Sequence, residues 1–190
     1  MNKVTHLPAG VIVTQLVTYP DARGTFTELF RESWLPDAGP FRQWNVVSSQ
    51  ANVLRGMHVH LRHHDLLAVL SGRVVYGLKD LRIGSPTFGV TAMVEVSNQP
   101  LTTLMIPPGV AHGYYSLTEN LQFYAVSEYY DPADELGCRY DDPALALHWP
   151  TQGQDPILSA RDADMPSLAE LMPFVPAYQT YQMPFPIPVL

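Results

Sequence analysis

Eighteen prolines and twelve glycines are spread through these 190 residues and leave few stretches long enough for a regular helix. Proline removes a backbone donor, and glycine inside a helix costs about 1 kcal/mol relative to alanine. Between these breakers sit short segments rich in β-branched and aromatic residues, the composition of half-buried strands. "GVIVTQLVTY" reads as one strand, and "GTFTELF" alternates Phe26, Glu28 and Phe30 against Thr25, Thr27 and Leu29. "LLAVLSGRVVYGLKDL" reads as a hairpin turning at Ser71-Gly72, and "GVTAMVEVS", "TTLMIPPGVAHGYYSL" and "LQFYAVSEYY" continue the series. Many short strands at near-regular spacing predict a mostly β sandwich or barrel. Two short helical turns are expected, at "ESWLPDAG" and at "SLAELM", where Ser167 is placed to cap.

The length suits one domain, and 46% apolar with 15% charged residues is a globular composition. A formal charge of -7 argues against a nucleic-acid partner, while a few placed arginines can still hold an anionic small molecule. The single cysteine, Cys138, permits no internal disulfide and points to a cytoplasmic home. No signal peptide or membrane-spanning run is expected. Residues 1–170 read as the domain, and 171–190 as a proline- and aromatic-rich arm lying on it or on a partner.

Four of the seven histidines crowd into "RGMHVHLRHHD". Alternate residues of a strand share a face, so His58 and His60 point the same way. Asp65 is expected from the next strand and His112, in "PPGVAHG", from a strand across a barrel. Three imidazoles and a carboxylate suit Zn, Fe, Mn, Ni or Cu. His63 and His64 are expected on a solvated approach with no role. As plain alternatives, His60 hydrogen-bonds a substrate hydroxyl, and Asp65 pairs with Arg62 or Arg73 at the surface.

The His-x-His and Pro-x-Gly-x-x-His pair resembles the metal-binding motifs of the cupin superfamily, small jelly-roll (double-stranded β-helix) barrels with short peripheral helices. A closer resemblance rests on "DARGTFTELF", "NVLRGMH", "DLRIGSPTFG", "IPPGVAHGYYSL", "EYYDP", "DDPALALHWP" and "LSARD", seven motifs in order from about Pro20 to about Leu168. The chain resembles the nucleotide-sugar 3,5-epimerases that act on dTDP-4-keto-6-deoxyglucose. That resemblance implies His58 as the base, Asp162 as the acid that orients it, and Tyr124 as the general acid. It implies a substrate grip by Arg23, Arg55, Gln43, Asn45, His112 and Tyr129, with Phe26 and Glu28 supplied across a homodimer. The family requires no cofactor.

The residue types fit the chemistry. A proton α to a ketone is removed by a near-neutral imidazole braced by a carboxylate, and a tyrosine on the other face returns one. Yet the family's enolate-stabilising lysine is replaced by Asp65, its glutamine after the base by His60, and its aspartate on the following strand by Tyr76. A lysine after the general acid becomes Ala125, and Trp44 and Val46 replace an acid and a histidine. An aspartate repels an enolate. A divalent metal (Zn, Mn, Fe or Ni) on His60, Asp65, His112 and, as an open alternative, His58 would restore a positive centre. Two other readings stand beside the epimerase: a metal-dependent cupin isomerase, cyclase or lyase with another substrate, and a sugar-nucleotide-binding homologue without activity.

Overall fold

Two five-stranded antiparallel sheets face one another in the computed structural model, which describes residues 6–178. The first runs in the order β1 (Ile12–Gln15), β9 (Thr102–Ile106), β6 (Asp65–Ser71), β11 (Asn120–Val126) and β4 (Gln43–Ser49). The second runs β12 (Leu136–Gly137), β5 (Leu54–Val59), β10 (Val110–Ser116), β7 (Arg73–Asp80) and β8 (Thr91–Ser97). A separate hairpin, β2 (Thr18–Asp21) with β3 (Gly24–Thr27), stands apart from both. Helix is confined to short turns, α1 (Ala160–Ala163), α2 (Leu168–Leu171) and several 3-10 segments. Among the described residues no helix is long and apolar enough to cross a membrane.

Three apolar clusters explain the strand composition. Leu67, Val69, Val74, Leu78, Val94 and Leu104 meet between the sheets. Leu66, Ala68, Met105 and Phe123 face outward from the first sheet, under Leu29, Phe30, Leu35 and Phe41. β6 is therefore buried on both faces, which is why "LLAVL" shows no alternation. On the outer face of the second sheet, Met57, Val59 and Ala111 are covered by Leu145, Leu168, Leu171 and Val175. The start of the expected arm thus belongs to the domain; its remainder beyond Tyr178 lies outside the described residues.

The expected hairpin at Ser71-Gly72 is not one. β6 pairs with β9 and β11, whereas β7 pairs with β10 and β8, so the chain changes sheets at Gly72. A hairpin turn and a barrel corner both need a residue with positive φ, here 82° at Gly72, and local sequence does not distinguish them. "GVIVTQLVTY" splits into β1 and β2 at Leu16-Val17, and the alternation of "GTFTELF" outlasts β3, which ends at Thr27. β4 was not legible as a strand. It turns Gln43, Asn45 and Val47 inward and leaves Trp44 and Val46 exposed, the reverse of an ordinary half-buried strand. Helical turns form in both expected stretches, as two 3-10 turns (Glu32–Trp34 and Pro36–Ala38) in the first and α2 in the second, where Ser167 and Glu170 make a capping box.

Candidate active site

The apolar core fills one part of the space between the sheets; the other part opens as a cavity of about 370 Å3. Strand register places its lining. On the first sheet Gln43, Val126 and Asp65 form one cross-strand row, and Asn45, Tyr124 and Leu67 form the next inward-facing one. On the second sheet His58 pairs with His112, and Tyr114 lies between Arg55 and Tyr76. β5 and β10 approach closely because both carry glycine at the contact. A Cβ on Gly56, whose φ is +123°, would lie 2.6 Å from the Gly113 Cα. The glycine of "LRG" thus sets His58 beside His112.

His58 is partly open to the cavity, and its Nε2 lies 2.6 Å from Asp162 Oδ1. Asp162 sits in α1, where Ser159 caps the helix, accepting from the Asp162 backbone N–H and donating to Oδ2 at 2.8 Å. Burial by itself would raise the Asp162 carboxyl, but the bonds from His58 and Ser159 hold it below the usual carboxylate range. An ionised carboxylate only accepts, so His58 Nε2 carries the proton and Nδ1 keeps the lone pair. Tyr124 comes from the opposite sheet, and burial, reinforced by the Asp65 and Glu135 charges, raises its phenol.

A second cluster lies beside this pair. Asp65 Oδ2 is surrounded by Nε2 of His60, His63 and His112 at 4.0, 3.8 and 3.8 Å. All four side chains are buried. The Nδ1 atoms of His60 and His112 lie 3.3 Å from the Asp134 carbonyl and 3.2 Å from the Val110 carbonyl. A carbonyl only accepts, so both rings are Nδ1–H tautomers with Nε2 lone pairs turned to Asp65. Ligand atoms of His60, Asp65 and His112 all fall within 4.8 Å of one another, and those of His60, His63 and Asp134 do likewise. Burial pushes Asp65 up to about 7 and His112 down to about 3, and drives His60 well below its ordinary value. Burial also disfavours a charged His63, but its bond to Asp134 and the charge of Asp65 raise it overall.

Several expectations are corrected here. His112 comes from the strand next to that of His58 and not from across the barrel, while Asp65 does come from the next strand of the chain, which lies in the facing sheet. His63 is buried on Asp134 at 3.1 Å, and His64 is half-buried with its Nδ1 enclosed; neither is a solvated loop residue. Asp65 has no surface pairing, since Arg62 binds Asp131 and Arg73 binds Glu95. His58 is engaged by Asp162 and stands outside the His60, Asp65 and His112 group.

Gln43, Asn45, Arg55 and His112 line the cavity, and Gln43 donates to Asn45 Oδ1 at 3.0 Å. Within one chain Arg23, Phe26, Glu28 and Tyr129 do not. Arg23 is exposed on the β2–β3 hairpin and bound to Asp21, Phe26 is exposed beside it, and Glu28 pairs with Arg31. Tyr130 lines the cavity where Tyr129 points outward. Sequence reasoning missed Asp134, Glu135 and Arg161. The first two lie in "DPADELG", an acidic loop that carries no spacing to show it folds back onto His60 and His63. Tyr76, which also lines the cavity, donates to Gln122 at 2.6 Å.

Residues 5–170 match the family profile described as dTDP-4-dehydrorhamnose 3,5-epimerase. The chain belongs to that family. A relative of that name from Sinorhizobium fredii is 33% identical over 161 residues, covering 80% of this chain and 82% of the relative. A solved Mycobacterium tuberculosis epimerase is similar with a TM-score of 0.87 at 31% identity, covering 95% of this chain and 96% of that one. A 3'-monoepimerase from Streptomyces bikiniensis, solved with dTDP-quinovose, gives 0.84 at 32% identity, covering 92% and 93%. The mostly β cupin-type barrel and the epimerase assignment drawn from the motifs are both borne out, and the family places the chain among isomerases.

Proposed function

We propose that this chain epimerises a nucleotide-linked 4-keto-6-deoxyhexose at C3, C5 or both. The observation that carries it is the 2.6 Å contact of His58 Nε2 with Asp162 on one wall of the cavity, with Tyr124 on the facing wall. His58 Nδ1 takes the proton α to the C4 ketone, and the bonding pair moves to the carbonyl oxygen as an enolate. Asp162 stabilises the imidazolium that forms. The Tyr124 hydroxyl protonates the carbon from the other side, and solvent then restores both side chains. Arg55, Gln43, Asn45 and His112 orient the substrate from the cavity wall.

The remaining grip comes from a second copy in a homodimer. Val17, Tyr19 and Phe26 are exposed on or beside the β2–β3 hairpin, and Arg23 and Glu28 stand with them away from their own cavity. Exposed apolar residues on a projecting arm favour a protein contact. The unpaired, buried Cys138 fits a cytoplasmic enzyme. The enolate oxygen needs a positive partner. Asp65 replaces the expected lysine, and a divalent metal is the partner we favour.

Deuterium uptake from D2O into dTDP-4-keto-6-deoxyglucose tests the assignment. Exchange at C3 or C5 is expected, with His58→Asn losing about 10²–10⁴-fold in rate. Tight nucleotide binding with no exchange at either carbon overturns it in favour of a binding homologue.

A further inference from the structure

Among the described residues no side chain donates a hydrogen bond to Asp65; the imidazole of His63 is the nearest source of positive charge, at 3.8 Å. The Nε2 atoms of His60 and His112 and the Oδ2 of Asp65 are acceptors that face one another across 3.8–4.0 Å. Both imidazole protons are committed to the carbonyls of Asp134 and Val110. A proton on Asp65 could serve only one of the two nitrogens, and neither distance is a hydrogen bond. These acceptors open onto the cavity, and three of them converging on one point of its wall is an arrangement that a cation can join.

We propose that His60 Nε2, Asp65 Oδ2 and His112 Nε2 form a divalent-metal site, with His63 as the positioning residue that steadies Asp65. Three arguments lead there. Donors about 2.1 Å from one ion in tetrahedral array stand about 3.4 Å apart; the two His–Asp edges are 4.0 and 3.8 Å and the His60–His112 edge is within 4.8 Å, so closure needs about half an ångström on the first two and at most about 1.4 Å on the third. Both imidazoles already have the outer-shell carbonyl bond that fixes a ligating tautomer. The trio also lines the cavity that holds His58, so coordination positions not used by protein face a bound substrate.

His63 reaches Asp65 Oδ2 with Nε2 and Asp134 Oδ2 with Nδ1, at 3.8 and 3.1 Å. Its bond to Asp134 in the acidic loop holds the ring against the Asp65 carboxylate. Two imidazoles with a carboxylate suit Zn, Fe, Mn, Ni or Co more than Mg or Ca. The site stands on its own geometry. Its use as a Lewis acid toward the C4 oxygen, in place of the absent lysine, rests on the epimerase assignment above.

The test is metal uptake by chelator-stripped full-length protein. It is offered Zn2+, Mn2+, Fe2+, Ni2+ or Co2+ alone, and content is read by elemental analysis, with the visible spectrum read for Co2+. One equivalent per chain is expected. His60→Gln, His112→Gln and Asp65→Asn should each weaken binding by more than about tenfold, and His63→Gln by less than they do. His58→Asn should keep the metal and its Co2+ spectrum while losing deuterium exchange. Folding of each variant is checked by circular dichroism, and wild-type stoichiometry decides the question even if a variant fails to fold. No uptake of any of the five ions, or uptake unchanged by all three ligand substitutions, overturns the site. Metal bound with no exchange leaves the site standing and removes the epimerase assignment; exchange in fully stripped protein removes the Lewis-acid role.

Discussion

Asp80 and Asp65 are both buried carboxylates on barrel strands, and the protein treats them in opposite ways. Asp80 Oδ1 accepts from Nε and the backbone N–H of Arg82, and Oδ2 accepts from the Arg82 guanidinium, Ser85 and Thr87 at 2.6–2.9 Å. Burial works against the Asp80 charge, but these donors win and hold its carboxyl below the ordinary range. Asp65 has only three imidazole nitrogens, at 3.8–4.0 Å, and its carboxyl is pushed up to about 7. A satisfied buried carboxylate braces a corner of the fold. Asp65 has no donor within hydrogen-bond distance and meets the cavity instead, so its carboxylate braces nothing in the fold.

The sharpest way to break this contrast is Asp80→Asn. It leaves the Arg82 guanidinium buried without its counter-charge, and about 3–5 kcal/mol of stability should be lost in a denaturant titration. A loss under about 1 kcal/mol would show that the two carboxylates are not different in kind.

Asp65→Asn should act in the other direction in metal-free protein. The folded pKa of Asp65, about 7, lies above the unfolded value near 4, so the native state binds the extra proton between them. Wild-type stability is therefore eroded as pH rises from about 4 to about 7 and is flat above. The variant escapes this and should gain on wild type across that window by a few kcal/mol at most. Asp80 has the opposite sign: its contribution is complete above pH about 4 and disappears as pH falls through its lowered folded value. Midpoints measured with chelator from about pH 2 to about pH 8 check both directions.

Tyr76→Phe tests a neutral buried pair that bridges the two sheets beside the same cavity. It removes the donor to Gln122 Oε1 and should destabilise by about 1–3 kcal/mol. At the far end stands Glu95→Gln, which breaks the exposed Arg73 pair and should leave the denaturation midpoint unchanged within error.

Legibility followed the same divide between satisfied and exceptional positions. Strands with ordinary chemistry, such as Thr91–Ser97 with its inward Ala92, Val94 and Val96, were readable from alternation alone. β4 was not, because it faces a cavity: polar Gln43 and Asn45 point in, and apolar Trp44 and Val46 point out. Likewise His63 looks like a polar loop residue until Asp134, 71 positions away in sequence, closes over it. The Gly72 corner looks like a hairpin turn because φ is a local property and sheet membership is not.

By itself the sequence determined the family and the β-rich architecture, since motif order and alternation are written along the chain. Tertiary structure alone decided that His58 turns Nε2 to Asp162, that His60 and His112 turn theirs to Asp65, and that Asp65 lacks the donors Asp80 has. Those outcomes depend on which carbonyls and carboxylates come within about 3 Å of each ring through space, and sequence spacing carries no such distance.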